Sequence, residues 1–329
     1  MSRVGLTSKI AHSITSAETQ EDKLEILMKY SKESLIKRIV NFAYNPLITY
    51  DMTDYNPVNK GKQYGMGISK FMHVIEDIND GKYTKEEAMF ASNLVLTHIS
   101  DDESDIFIGI LKKSLGWGLE PQTISAVWPE MNVSYPVQYP TEFSNALYKK
   151  FDLACAAQKS YTGLRINVIV RGNGIRIVNS LGEDLTYLDM YHAQFGNLAQ
   201  HGDTIFDGMA VHVDDNNEII TVEDDSEILE ANAENIRFIL WDAIRYDGFV
   251  NGTDTRIGYN WRYNGLEHMM FLSAEKNQNP CYSLPQSKSC TNIEEIKTFQ
   301  DEVDGDIIIK NLSGTWQNGF TTSDLILRK

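Results

Sequence analysis

The feature that most constrains this chain is a change of hydrophobic period partway along it. From Glu21 to about Met131 apolar residues recur at helical spacing, and after Pro129 they fall into short strand-like runs divided by Gly and Asn turns. Leu24, Leu27, Ile36, Ile39, Val40 and Ala43 repeat at three- and four-residue steps with Lys and Glu between them, which puts them on the inner faces of successive helices. Further helices are expected over Met66 to Ile78 and Lys85 to His98. The acidic run Asp101 to Asp105 precedes Ile106 to Leu111, with Lys112 and Lys113 beyond, the charge order that complements a helix dipole; it reads as a solvated helix start and not as a metal site.

In the second part, Leu164 to Val170 and Ile175 to Val178 flank Arg171-Gly172-Asn173-Gly174 and read as a hairpin. Ala210 to Val213 and Glu218 to Val222, joined by Asp214 to Asn217, read as a second strand pair, and Ile236 to Trp241, Ile307 to Lys310 and Leu325 to Lys329 as further strands. There is no regular βαβ rhythm, so the class is α+β with antiparallel pairing. Pro136 and Pro140 mark an extended linker within Val133 to Pro140, which divides the chain into a helical domain, 1–132, and a sheet-rich domain, 133–329.

Composition narrows the functions. No apolar run reaches the roughly 20 residues of a membrane span and the N-terminus lacks a signal-like apolar core, so a cytoplasmic protein is expected, with no membrane partner. Cys155, Cys281 and Cys290 form no C-x-x-C pair and no metal-ligand spacing with His, so they are expected to be reduced thiols used in packing. The net charge of −16, about three quarters of it in the sheet-rich part, opposes strong binding of duplex DNA, which needs a basic stripe.

Several segments in order carry a resemblance that spans about Glu25 to Lys329. Val127-Trp128-Pro129 closes the helical part; Gln158-Lys159-Ser160-Tyr161-Thr162-Gly163-Leu164-Arg165 leads into the hairpin; Asp207-Gly208-Met209 follows; then come Phe238 to Asp242, Tyr259, Arg262 and Leu266-Glu267, Ile307 to Asn311 with Trp316, and Leu325 to Lys329. Together these resemble the ATP-dependent DNA ligases of bacteriophages. The resemblance implies an all-α, DNA-ligase-like N-terminal domain followed by an ATP-grasp-like nucleotidyltransferase domain of antiparallel sheets with flanking helices. It also implies a phage-infected bacterial cytoplasm as the setting.

The same alignment exposes what that chemistry would lack. The family's nucleophilic lysine corresponds to Ser160 and its neighbouring aspartate to Thr162; the D-G-E glutamate corresponds to Met209, the glutamate of E-G-x-x-x-K to Gly305, the DNA-contacting arginine of S-R-x-G to Leu181, and the first lysine of the final K-x-K to Leu327. The family's OB-fold domain is not expected in a chain that stops at Lys329. What remains is a vestigial nucleotide pocket of Ser160, Gly163, Arg165, Met209, Phe238, Lys310 and Lys329.

Three readings follow. The first is a ligase-like pseudoenzyme with no catalytic residue, metal or cofactor, which binds a phage or host protein, with nucleic acid second, in phage DNA metabolism or counter-defence. In the second, an atypical active ligase uses Lys159 as nucleophile with Lys310 and with Asp306 or Asp304 for metal oxygen, and then ATP and Mg2+ are its cofactors. A strand alternates its faces, so Lys159 reaches the pocket of Ser160 only through a bulge. The third is an acidic decoy or DNA mimic, drawn from the net charge.

Overall fold

Two threonines start helices in the N-terminal part. Thr19 accepts the Asp22 amide ahead of Gln20–Lys29, and Thr84 and Glu87 form a reciprocal capping box ahead of Lys85–Leu96. With Arg3–Ser16, Ser34–Tyr44, Met72–Asn79, Asp101–Leu111 and Pro121–Val127 they enclose one apolar core in which Leu27, Ile36, Ile39, Val40 and Ala43 are all buried. Each such Ile or Leu is worth about 1.5–3 kcal/mol of burial. Trp128 ends the last helix and is buried, its indole donating to the Ser31 carbonyl at 3.1 Å.

The computed structural model describes residues 3–50, 52, 55–57, 65–131, 133–151, 155–172, 174–199, 202–222, 228, 232–277 and 279–329, without the side chains of 3, 4 and 102. It divides into two units, Met1–Tyr135 and Pro136–Lys329. Asn173, in the turn of the expected hairpin, lies outside the described residues. Among the described residues no helix is long and apolar enough to cross a membrane.

Three expectations for the helical unit need correction. The helix expected over Met66 to Ile78 is interrupted: Met66 bridges to Ile99, Ile68–Lys70 is a short 3-10 turn, and the α-helix begins only at Met72. The cause is Glu103, which is fully buried and accepts the Ile68 amide at 2.7 Å, so part of the acidic run is an internal hydrogen-bonding group and not a solvated helix start. Lys113, expected to complement its own helix, adopts φ 57 and donates to the carbonyls of Phe42 at 2.9 Å and Asn45 at 2.7 Å, thereby capping the C-terminus of Ser34–Tyr44.

The C-terminal unit has thirteen strands among the described residues: β1 Gln138–Glu142, β2 Cys155–Lys159, β3 Leu164–Arg171, β4 Gly174–Asn179, β5 Thr204–Val213, β6 Ile219–Ile220, β7 Ile236–Arg245, β8 Thr253–Gly258, β9 Tyr282–Ser283, β10 Ser287–Cys290, β11 Ile307–Asn311, β12 Thr315–Gln317 and β13 Gly319–Leu327. They make a five-stranded sheet, β1-β13-β11-β2-β10, a six-stranded sheet, β4-β3-β5-β7-β9, and the pair β12-β8, with β6 beside β5. Pairing is mainly antiparallel, as expected, but the edge pairs β1–β13 and β7–β9 are parallel, each joining strands far apart in sequence.

Each large sheet has one helix-backed apolar face. Leu164, Ile166, Val168, Phe206, Phe238 and Leu240 pack there with Phe195 and Leu266. Cys155, Ala157, Ile307, Ile309 and Leu325 pack with Ile296 and Phe299 of helix Ile293–Val303. All three cysteines are free and buried, and burial pushes the Cys155 thiol up to about 11 and that of Cys281 to about 12, so neither is a ready nucleophile. Asp254 has a fully buried side chain. Burial alone would raise its carboxyl, but hydrogen bonds from the Arg245 side chain and the Arg256 amide, with the charges of both guanidinium groups, hold it below the ordinary carboxylate value.

Two glycines are fixed by close backbone approach. A Cβ on Gly163, at φ +153, would lie 2.3 Å from the Ala210 carbonyl oxygen, whereas one on Gly265, in helix Tyr259–Ser273, would meet nothing within 4 Å. Gly163→Ala should therefore cost about 2 kcal/mol or more and Gly265→Ala should stabilise by up to about 1 kcal/mol, measured by urea unfolding. Because the folded-state pKa of Asp254 is depressed, its contribution is complete above the unfolded value near 4 and is lost as pH falls through the folded value. Asp254→Asn should lower stability at neutral pH and reduce its loss below about pH 5, read from unfolding curves across that range.

Candidate functional site

Alternation along β2 sorts its side chains. Cys155 and Ala157 face the helix-backed core, while Gln158 faces the other way, where its amide donates to the Tyr259 hydroxyl at 2.8 Å. Lys310, opposite Ala156 in the β11–β2 register, shares that second face and meets Asp324 of β13 at 2.5 Å, with both side chains nearly buried. The Lys310 ammonium also lies 5.3 Å from the centre of the Tyr259 ring. Burial pushes the Tyr259 phenol well above its ordinary value, and its hydroxyl donates to the Trp241 carbonyl at 3.0 Å.

The six-stranded sheet supplies the other side of this polar seam. Arg165 donates through Nε and Nη2 to the two oxygens of Asp207 at 3.2 and 2.7 Å, and through Nη1 to the Gln138 carbonyl at 2.8 Å. Its guanidinium lies between the rings of Tyr139 and Trp241, 5.6 and 5.4 Å from their centres. Asn167 donates to Asp207 at 3.1 Å. The Gln138 side chain donates to Asp324 at 2.7 Å and accepts the Gln317 amide at 2.8 Å, so one residue of β1 joins the Lys310 pair to the Arg165 pair.

A third pair completes the arrangement. Arg262 holds both oxygens of Asp242 at 2.8 and 2.9 Å and donates to the carbonyls of Ile257 and Gly314 at 2.7 and 3.2 Å. Burial opposes its charge, but the charge and hydrogen bonds of the adjoining Asp242 carboxylate, with the charge of Asp324, together raise its pKa above the ordinary arginine value. Asp207 and Asp242 stand opposite each other because the β5–β7 register shifts between Asp207 and Gly208. A Cβ on Gly208 would lie 2.4 Å from the Ile239 carbonyl oxygen, so glycine permits this local approach.

Arg165, Lys310 and Gly163 of the expected pocket are therefore brought to or beside the seam, and Met209, opposite Arg165, packs with Val211, Val213, Ile239 and Tyr161. Phe238 is not with them: it is buried on the helix-backed face, edge-on to Tyr191 and Phe195, because alternation from Ile236 to Leu240, before the register shift that brings Asp242 to the seam, sets it on that face. Lys329 is not with them either. Its side chain pairs with Asp304 and its amide donates to Asp306, which also accepts from Arg328 at 3.3 Å. Asp304 and Asp306 are thus engaged at the end of helix Ile293–Val303 and the start of β11.

Ser160 follows β2 and donates its amide to the Asp306 backbone carbonyl at 2.9 Å; Thr162 is exposed; Leu181 is exposed in a turn; Leu327 packs against the helix-backed core of the five-stranded sheet; Gly305 links Asp304 to Asp306. Lys159 pairs with Ile307 in a register that runs without a shift from Cys155 to Lys159, so there is no bulge and it stands on the face of Cys155 and Ala157, opposite to Lys310. Its ammonium lies 5.5 Å from the centre of the Tyr161 ring. Among the described residues no group of three or more His, Cys, Asp or Glu side chains is arranged to hold a metal ion. Sequence reading missed Gln138, Tyr139, Gln158, Asn167 and Asp324; Gln158 and Asn167 carried a signal, a polar residue among apolar neighbours of a strand, whereas Gln138, Tyr139 and Asp324 stand in polar stretches and carried none.

An all-helical unit followed in sequence by two sheets that enclose such a seam is similar in fold to the nucleotidyltransferase domains of DNA ligases. The solved structure Pmar-Lig_PreS3 superposes with a TM-score of 0.52 at 14% identity over 98% of this chain and 78% of that one, and Pmar-Lig_Pre. with 0.52 at 14% over 98% and 77%. The ATP-dependent DNA ligase from bacteriophage T7, in complex with ATP, aligns at 14% identity and a TM-score of 0.48 over 59% of this chain and 68% of that one. No protein-family model and no curated protein matches the chain. At these identities the likeness is one of fold.

Removing one partner of a buried ion pair leaves the other charge unmet, which costs about 3–5 kcal/mol, whereas replacing both by apolar groups is often neutral. Asp324→Asn is expected to destabilise by about 3 kcal/mol or more, while the double replacement Lys310→Met with Asp324→Leu should recover most of that loss. A double-mutant cycle by chemical denaturation checks this, and independent, additive effects would contradict the pairing.

Proposed function

We propose that this chain uses the DNA ligase fold without adenylating chemistry and acts by binding a protein partner. The observation that carries the reading is the seam: Lys310 and Arg165, the cations that a nucleotide phosphate would call on, are each met by a carboxylate of the same chain, and all three guanidinium nitrogens of Arg165 already donate. Phosphate binding there requires those pairs to break. The position expected for the nucleophile holds Ser160, and among the described residues no His or carboxylate hydrogen-bonds to its hydroxyl. The net charge of −16 favours a protein partner over duplex DNA, whose backbone it repels.

The rival reading makes Lys159 the nucleophile, with ATP and Mg2+ as cofactors. The unshifted β2 register counts against it, since Lys159 and Lys310 then stand on opposite faces. The purified chain incubated with ATP and Mg2+ is expected to gain no adenylate by intact-mass measurement, with the Lys159→Ala chain indistinguishable from it. An adenylate that forms on the wild-type chain and disappears in Lys159→Ala would overturn the proposal and assign the nucleophile at once.

A further inference from the structure

Helix Lys85–Leu96 turns Ala88, Ser92, Val95 and Leu96 inward. On the other side Phe90 is 73% exposed and Leu94 53% exposed. Glu86, Phe90 and Leu94 follow one another at four-residue steps and so form a single stripe, with Glu87 and Ala91 along its border. Tyr83, Glu86, Glu87, Phe90 and Ala91 line one open concavity. An apolar floor with carboxylates at its rim is an arrangement of specific chemistry: the floor favours aliphatic groups and the rim favours cations.

The surrounding charges keep the rim acidic. Glu87 is held by the capping box, its carboxylate accepting the Thr84 amide at 2.9 Å, and Lys82 is occupied by Asp77 at 2.5 Å and Asp80 at 3.6 Å. Lys85 comes five residues before Phe90 and, at about 100° per residue, falls on another side of the helix. Phosphates of nucleic acid and the headgroups of an anionic bilayer are repelled by such a rim. A protein helix that alternates aliphatic residues with Lys or Arg at three- and four-residue spacing satisfies both floor and rim.

We propose that this stripe is the docking surface for a basic amphipathic helix of a partner protein, with aliphatic side chains over Phe90 and Leu94 and cations against Glu86 and Glu87. The proposal rests on the protein-binding reading above and names the chemistry of the partner.

The test is fluorescence anisotropy of the full chain with a labelled Leu/Lys peptide of helical periodicity, beside its Leu/Glu counterpart. The Leu/Lys peptide is expected to bind, the Leu/Glu peptide not to, Phe90→Ala to weaken binding about tenfold or more, and Glu86→Lys to weaken it and flatten its salt dependence. Both side chains are exposed, so unchanged thermal unfolding confirms that the variants fold. Four results overturn the proposal: equal binding of the two peptides; indifference to both substitutions; displacement of the peptide by duplex DNA or by anionic vesicles; or a wild-type dimer, seen by sedimentation, that Phe90→Ala dissolves. Adenylation measured on the same preparations separates the two readings, since a chain that adenylates yet binds the peptide fails only the earlier one, and an inert chain that ignores the peptide fails only this one.

Discussion

A charge withdrawn from water must be met by an opposite charge or by hydrogen bonds, and three ion pairs organise the interior of the C-terminal unit: Lys310 with Asp324, Arg165 with Asp207, and Arg262 with Asp242. The first ties β11 to β13, the second β3 to β5, and the third β7 to helix Tyr259–Ser273. Gln138 then connects the first pair to the second through its side chain and its carbonyl. These contacts need a backbone that permits them. The register shift at Asp207 sets that residue opposite Asp242, and because each already has its own arginine, two carboxylates lie side by side without uncompensated repulsion.

These pairs coincide with part of the residue pattern on which the resemblance to ligases rests. Gly163, Arg165, Asp207, Gly208, Asp242, Arg262 and Lys310 match the pattern, and each either belongs to a seam pair or supplies the close backbone approach beside one. Ser160, Leu181, Met209, Gly305 and Leu327 depart from it, and none is a member of those pairs.

The helices were legible because a 3.6-residue period with threonine caps is a local signal, and the strands of the six-stranded sheet because alternation and the Arg171 to Gly174 turn are local too. Long-range partners were not. Nothing beside Lys113 in sequence says that its ammonium will close the helix that ends at Tyr44, or that Glu103 will be buried against the Ile68 amide. Phe238 was misplaced because an aligned aromatic carries no face, whereas the register of β7 assigns it to the helix-backed core. Lys159 shows the opposite outcome: alternation alone said that it needs a bulge to reach the pocket, and the β2–β11 register contains none. Gln138 and Asp324 stand 186 residues apart, so their hydrogen bond depends wholly on the closed sheet.

Charge links the interior to the surface. Between Leu181 and Glu230 the sequence has no Lys or Arg, while Arg165, Arg245, Arg262 and Lys310 are each committed to a carboxylate inside the unit. Each internal pair withdraws one cation together with one carboxylate, so the net charge of −16 stays on the outer surface, with fewer cations among its carboxylates. Such a surface repels polyanions and accelerates encounter with basic partners, an effect that falls with ionic strength as the Debye length shortens. The paired interior of the seam and the acidic outer surface are thus two results of one distribution of charge.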